Sequence, residues 1–137
     1  MGRINTDTED GLTIGRLARA AMVGVETIRY YQGRGLLPVP ASVGGIRYYP
    51  RKLVKRIGFI KKAQSLGFSL DEISTLLGLE DGRDRRAVQE VAEVRLSQIS
   101  AKLSDLGRMK RILLTLIEEC KKTGEMHPCP IIETLRY

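Results

Sequence analysis

The chain has 137 residues, of which 28% are charged and only 5% aromatic, and it contains no tryptophan. This composition favours a small, mainly helical protein over a β-sandwich built on aromatic strands. The net charge of +7 favours a polyanionic partner such as nucleic acid. No apolar run approaches the roughly 18 residues that a membrane span requires, so we expect a cytoplasmic protein with no membrane association.

The first residues, MGRINTDTEDG, are polar and lack the apolar segment of a secretory signal peptide. We expect residues 1–11 to form a loose tail. Without a secretory signal, the two cysteines of the chain are expected to be reduced and free for metal or redox chemistry.

Two short helices separated by a tight turn are predicted next. In LTIGRLARAA (12–21), Thr13 suits an N-cap position, and the apolar residues that follow recur at helical spacing. A second helix lies in MVGVETIRYYQGRGLL (22–37), with Gly35 as its terminator. Two helices in this arrangement are typical of a helix-turn-helix motif.

The segment PVPASVGGIRYYP (38–50) is rich in proline and glycine. Gly44-Gly45 between two short β-prone runs predicts a two-residue hairpin, which would form a wing. A plain loop is the alternative, since prolines flank the glycines. A winged helix-turn-helix domain presents one helix to the major groove of duplex DNA and its wing to the phosphate backbone.

An Arg-Tyr-Tyr triplet occurs twice, once on the second helix and once after the wing turn. Arginine binds phosphate or guanine, and tyrosine packs on sugars and donates a hydrogen bond to phosphate. Arg29 as a solvated charge and Tyr31 as a core residue are the alternatives, but the repetition favours DNA contact. The predicted DNA-binding residues are Thr27, Arg29, Tyr30, Tyr31, Arg47, Tyr48 and Tyr49.

Two further helices complete the predicted DNA-binding domain, which spans residues 12–82. The stretch 52–68 places apolar residues on one face and lysine or arginine on the others, as in a basic amphipathic helix. The stretch 69–82 begins with a capping box, in which Ser69 precedes Glu72 by three positions.

A long helix is predicted over residues 83–119. Its apolar residues recur at alternating steps of three and four over about four heptads, interrupted only by Lys110. A helix this long cannot bury such a seam alone, so we expect it to pair with its copy in a homodimer. Folding back onto the small N-terminal domain is the alternative. The seam consists of Ala92, Leu96, Ile99, Leu103, Leu106, Leu113, Ile117 and Cys120.

Both cysteines and the single histidine of the chain lie in CKKTGEMHPCP, which begins at Cys120. Gly124 lets the chain turn back, so the loop can bring Cys120 and Cys129 within a few ångströms of each other. Thiolates prefer soft cations to Mg²⁺ or Ca²⁺, which predicts a metal loop. His127 is a further candidate ligand, Met126 is another for Cu(I), and a disulfide or two unrelated thiols are the alternatives.

Several of these segments together resemble the MerR family of transcription regulators, and in particular its mercury-responsive members: TIGRLARAA, VETIRYYQGRGLL, GIRYYP, FIKKAQSLGFSLDEISTLLGLEDG and CPIIETL. The resemblance runs from about Leu12 to Leu135. It implies a mainly α fold with a winged helix-turn-helix head, a long antiparallel dimerisation coiled-coil helix and a C-terminal metal loop. Residues 120–137 would then be the effector loop and a short C-terminal helix.

The resemblance also implies how such a protein works. A homodimer binds double-stranded promoter DNA whose two recognition elements are spaced too widely, and the effector triggers a distortion that realigns them for RNA polymerase. Such a protein is a repressor and an activator of a metal-resistance operon, and not an enzyme. Cys120 and Cys129 would bind Hg(II), with Cu(I), Ag(I), Au(I), Zn(II), Cd(II) and Pb(II) as alternatives.

Three positions depart from the family pattern. Met22 stands where glycine is usual in the helix–helix turn; a positive φ there would cost about 1 kcal/mol, unless the turn is arranged around Gly24. Ile46 stands at a wing position that is often tyrosine. In an ungapped alignment, Arg85 stands where mercury sensors supply a third cysteine from the partner chain, so the loop offers two thiolates, which suit a linear S–metal–S unit.

The residues alone leave three other functions open. A reversible disulfide between Cys120 and Cys129 would make the protein a redox sensor. A thiol enzyme would need a base beside its nucleophile, and His127 is the only histidine. A nucleoid-type DNA binder would make no use of the cysteines.

Overall fold

The computed structural model describes residues 11–125 and 127–136. The predicted N-terminal tail therefore lies outside the described residues, apart from Gly11. The described part of the chain is mainly helical, with one small antiparallel sheet, as predicted. In chain order its elements are α1 (Ile14–Ala21), α2 (Val25–Gly33), β1 (Ser42–Val43), β2 (Ile46–Arg47), α3 (Leu53–Ser65), α4 (Leu70–Gly78), α5 (Arg85–Lys122) and α6 (Pro130–Leu135).

The helix-turn-helix prediction is confirmed by α1 and α2. Thr13 caps α1, because its hydroxyl accepts a hydrogen bond from the backbone N–H of Arg16. The turn between the helices depends on Met22, which adopts the left-handed conformation with φ 58° and ψ 44°. Gly24 has an ordinary extended conformation with φ −81° and serves as the N-cap of α2. The chain therefore places its conformational strain on Met22 and not on the nearby glycine.

The predicted wing hairpin is also confirmed. Ser42 pairs with Arg47, and Val43 pairs with Ile46, in an antiparallel register. The two residues of the turn, Gly44-Gly45, have φ values of 59° and 81°, as the favoured two-residue hairpin turn requires.

A second pairing joins the end of the wing to the start of the first helix. The backbone groups of Leu12 and Tyr49 exchange two hydrogen bonds of 2.8 and 2.7 Å. The wing is thus attached at its C-terminal side to the segment that leads into α1.

The core of the N-terminal unit forms where α1 packs against α2 and α3, and α3 packs against α4. The capping box of α4 is present: the Ser69 N–H donates to Glu72 Oε1 at 2.8 Å, and the Glu72 N–H donates to Ser69 Oγ at 3.1 Å. The largest fully buried side chains are Leu17, Ile28, Leu36, Ile57, Ile60 and Ile73.

The long helix α5 is continuous over 38 residues, beginning two residues later and ending three residues later than the predicted range 83–119. None of its residues is buried within the described chain, and Leu96, Leu103 and Leu106 are each about three-fifths exposed. The chain divides into two compact units between Val91 and Ala92. No helix in residues 11–125 or 127–136 is both long and apolar enough to cross a membrane.

Candidate functional site

A groove of about 340 Å³ is lined by residues of α2 and of the wing. Arg29 of α2 and Arg47 of β2 both line it, together with Gln32 and Tyr49. Two arginines that the sequence placed in separate motifs therefore share one concave surface. Adjacent cations in a groove suit a phosphodiester backbone, which carries regularly spaced negative charges.

Five of the seven residues predicted to contact DNA are at least partly accessible to solvent. Arg29, Tyr30 and Arg47 are exposed, while Thr27 and Tyr48 are half-buried. The Nη1 of Arg47 donates to the carbonyl oxygen of Pro40, which ties the guanidinium to the segment just before β1. These five residues have the access that a DNA contact needs, and their role stays a prediction.

Tyr31 and Tyr49, unlike the other five predicted DNA-binding residues, are buried. Their residues are only 3% and 2% exposed, and both belong to the hydrophobic core. The Tyr31 hydroxyl donates to Gln64 Oε1 at 2.6 Å, and burial, with the neighbouring Tyr30 as a second cause, raises the pKa of Tyr31. Burial keeps both rings from stacking on a sugar, and contact between either residue and DNA stays a prediction.

Gln32 is a functional candidate that the sequence analysis missed. Its Nε2 donates to the carbonyl of Pro38 at 3.1 Å and to the hydroxyl of Tyr49 at 2.9 Å, so it joins α2 to the segments on both sides of the wing. Gln32 follows Arg29 by three positions, and residues at that spacing share one face of a helix. This spacing was the signal in the sequence that could have identified Gln32.

The C-terminal loop brings the two cysteines together. Cys120 lies in the last turn of α5, and Cys129 is the N-cap of α6. Their Sγ atoms are 3.4 Å apart, and both residues are half-buried and unbridged. A disulfide would require about 2.05 Å. The backbone N–H of His127 donates to the carbonyl of Gly124, which closes the turn between the two helices.

The two thiols differ in acidity. The pKa of Cys129 is lowered, first because the backbone N–H of Ile132 donates to its sulfur, and further by the Cys120 thiol and the N–H of Ile131. The pKa of Cys120 is raised, first by its hydrogen bond to Cys129 and then by burial and the charge of Cys129. Cys129 is therefore the first to become a thiolate, and Cys120 holds the shared proton.

The separation of the sulfurs restricts the geometry of a bound ion. With metal–sulfur bonds of about 2.3 Å, sulfurs lie about 4.6 Å apart in a linear unit and about 3.8 Å apart in a tetrahedral one. The observed 3.4 Å is shorter than both. The linear unit expected from the sequence therefore requires the pair to open by about 1.2 Å, since the two bonds would be collinear.

In the part of one chain that the structure describes, no third ligand stands beside this pair. In residues 11–125 and 127–136, no group of three or more His, Cys, Asp or Glu side chains is placed to hold a metal ion. His127 is exposed and does not complete such a group with the described residues, and its role as a ligand stays a prediction. Met126 lies outside the described residues. Arg85 is exposed at the first position of α5 and offers a guanidinium instead of a sulfur.

Comparison with known sequences gives two family matches. The family described as "MerR HTH family regulatory protein" matches residues 12–79, and "MerR, DNA binding" matches residues 54–116. A "Mercuric resistance operon regulatory protein" of Serratia marcescens is 45% identical over 128 residues, covering 93% of this chain and 89% of that protein.

Two solved structures are similar to this one. The transcription regulator PbrR691 from Ralstonia metallidurans CH34, in complex with lead(II), has a TM-score of 0.78 and 31% identity, and the match covers 90% of this chain and 98% of that one. The transcriptional regulator MerR from Bacillus megaterium MB1, in complex with mercury(II), has a TM-score of 0.67 and 37% identity, with 90% and 97% covered. The chain belongs to the MerR family of transcription regulators.

Proposed function

We propose that this protein is a metal-responsive regulator of a mercury-resistance operon, with Hg(II) as the effector and Cys120 and Cys129 as its ligands. The observation that carries the proposal is the reduced pair of sulfurs 3.4 Å apart in a chain with a MerR-type head. The Serratia relative named for mercuric resistance and the mercury-bound Bacillus structure support the choice of metal. The protein would act in the cytoplasm, where thiols stay reduced.

The exposed seam of α5 supports a homodimer. Leu96, Leu103 and Leu106 leave an apolar stripe exposed to water, and a second copy of the helix, packed antiparallel, would bury both stripes at once. In that dimer the partner subunit's Arg85 would lie near the cysteine pair as a cation. It can stabilise a thiolate there but cannot bind the metal.

The groove lined by Arg29 and Arg47 supports binding to duplex promoter DNA. We propose that the head holds the promoter in a repressed state, and that effector binding shifts the dimer to a second state that distorts the DNA for RNA polymerase. The opening of the cysteine pair by about 1.2 Å in a linear unit would displace α6 relative to the end of α5. That displacement is a local change which the dimer can transmit.

Metal titration tests the proposed effector. Reduced protein is titrated with Hg(II), Cu(I), Zn(II), Cd(II) and Pb(II) while ligand-to-metal charge-transfer absorbance and bound metal are recorded. We expect Hg(II) to bind most tightly, since two thiolates satisfy it, whereas Zn(II) needs four ligands. Cys129→Ser should lose the charge-transfer band. A protein that ignores Hg(II) but retains Zn(II) or Pb(II) would contradict the choice of mercury.

A thiol–disulfide redox sensor is the second candidate, and the acidity of Cys129 favours it. A peroxide would oxidise the Cys129 thiolate to a sulfenic acid, releasing hydroxide, and the Cys120 thiol would then displace water to form the disulfide. Intact-mass measurement after peroxide treatment separates the candidates. Loss of two hydrogens per chain, together with a changed promoter response without metal, would favour the redox sensor over the metal regulator.

A further inference from the structure

We propose that the Cys120–Cys129 pair is also a binding site for organic compounds of trivalent arsenic that carry one carbon substituent, R–As(OH)₂. The ligand is of a different chemical class from the metal cations considered above. The inference uses the same two thiols as the proposed function but does not require that Hg(II) bind or that transcription respond.

The first argument is the angle that the two sulfurs subtend. Arsenic–sulfur bonds are close in length to zinc–sulfur bonds, and at about 2.3 Å a separation of 3.4 Å corresponds to an S–As–S angle of about 95°. Trivalent arsenic keeps a lone pair and is pyramidal, with bond angles near a right angle. The pair therefore has the spacing of a pyramidal arsenic centre without opening, whereas linear, trigonal and tetrahedral centres all need a wider pair.

The second argument is the number of donors. In the part of the chain that the structure describes, the two thiols have no third Cys, His, Asp or Glu placed to complete a site. Inorganic arsenite has three exchangeable hydroxyl groups, so two thiolates leave one As–OH bond open to water. In R–As(OH)₂ the third position is already carbon, so two thiolates satisfy the arsenic completely. The site therefore selects organic arsenicals over arsenite.

The chemistry is an exchange of ligands at constant oxidation state. Two As–S bonds form, two As–O bonds break, and the two thiol protons leave with the hydroxyl groups as two molecules of water. No oxidant or reductant takes part. Because the loop holds the second thiol beside the first, closure of the chelate has a high effective concentration and resists displacement by monothiols.

The surroundings of the sulfurs suit an apolar substituent. Ile117 lies one turn before Cys120 and is 41% exposed. Ile131 is half-buried and Ile132 is 54% exposed, and both follow Cys129 on α6. A methyl or phenyl group on arsenic would thus have apolar side chains close to it in the sequence on both helices, and the half-buried sulfurs remain accessible from solvent.

The probe for the test is phenylarsine oxide, which hydrates in water to the required R–As(OH)₂ form. Full-length reduced protein is mixed with the probe and measured by intact-mass spectrometry and by titration of free thiols, with excess glutathione present. We expect one phenylarsenic group per chain, loss of both thiols, and release by a dithiol such as dimercaptopropanol. Retention should exceed that of either Cys120→Ser or Cys129→Ser on the order of a hundredfold.

Lys122→Ala is the matched control, since it changes an exposed side chain two positions from Cys120 but leaves the pair, and it should retain the probe like the unmodified protein. The proposal is wrong if glutathione removes the probe as readily from the unmodified protein as from Cys129→Ser. It is also wrong if inorganic arsenite is retained as well as the phenyl compound. A parallel Hg(II) titration keeps the two ideas apart: arsenical retention without Hg(II) binding refutes only the proposed effector, and the reverse refutes only this inference.

Discussion

Met22 holds the turn between α1 and α2 in a strained backbone conformation. Its left-handed conformation is unfavourable for a residue with a Cβ, and its side chain is 83% exposed, so little packing offsets the strain. We predict that Met22→Gly raises the free energy of unfolding by about 0.5 kcal/mol, the left-handed penalty less the extra freedom of glycine in the unfolded chain. Urea denaturation measures the change in the free energy of unfolding. Met22→Ala keeps the Cβ and should gain nothing; equal gains in both variants would refute the explanation.

Tyr30 and Tyr31 are neighbours in different environments, since Tyr30 is exposed and Tyr31 is buried. We predict that Tyr31→Phe lowers the free energy of unfolding by about 1 kcal/mol, because the hydrogen bond to Gln64 is lost, while promoter affinity is unchanged. Tyr30→Phe should leave stability unchanged and weaken DNA binding, since its ring is 52% exposed. Denaturation measures the free energy of unfolding, and fluorescence anisotropy with labelled promoter DNA measures the affinity. Weaker DNA binding by folded Tyr31→Phe would indicate that the Tyr31 hydroxyl contacts DNA.

The two cysteines should also differ in reactivity with pH. Because hydrogen bonds lower the pKa of Cys129 and raise that of Cys120, the Cys129 thiolate forms at lower pH. We predict that a short pulse of iodoacetamide labels Cys129 first as pH is raised, and that Cys120 becomes reactive only in more alkaline buffer. Peptide mapping by mass spectrometry measures both sites in one sample. Earlier labelling of Cys120 would reverse the assignment of the shared proton.

Some residue assignments follow from sequence and others do not. The proximity of Cys120 and Cys129 was predictable, because a short loop containing Gly124 closes on itself. The burial of Tyr31 was one of two alternatives that the sequence left open, because only the phase of α2 against the core decides which of the two adjacent rings is buried. The position of His127 depended on the conformation of the loop, which the sequence pattern does not determine.

At the level of secondary-structure elements, α4 depends on its cap. Ser69 and Glu72 satisfy each other's backbone N–H groups at the start of the helix. We predict that Ser69→Ala lowers the free energy of unfolding by about 1 kcal/mol. Ser74→Ala, an exposed position inside the same helix, is the control and should be neutral or slightly stabilising. Thermal denaturation compares the stability of the two variants. Equal stability would mean that the capping box contributes nothing to the free energy of unfolding.

The elements were predictable wherever local chemistry determines them. Gly44-Gly45 specified the hairpin because its turn needs two positive φ values, and the heptad pattern specified α5 over nearly its full length. Two features could not be predicted from the local sequence. The pairing of Leu12 with Tyr49 joins segments far apart in the chain, and the turn at Met22 requires a conformation that methionine rarely adopts.

At the scale of the whole molecule, the proposed DNA-binding groove and the proposed effector site lie in different units. The groove with Arg29 and Arg47 belongs to the N-terminal unit, and the cysteine pair belongs to the C-terminal unit. The exposed seam of α5 is the surface through which we propose that two copies associate. If this assignment is right, a change at the sulfurs should alter the response to effector without altering the affinity for the promoter.

Promoter affinity and transcription measured together, with and without Hg(II), test that assignment most directly. We predict that the reduced protein activates transcription when Hg(II) is added, and that Cys129→Ser binds the same promoter with unchanged affinity but gives no activation. Lys122→Ala, which changes an exposed side chain near the pair, should behave like the unmodified protein. Activation of Cys129→Ser at the same Hg(II) concentration as the unmodified protein would contradict the central claim that the Cys120–Cys129 pair is the effector site.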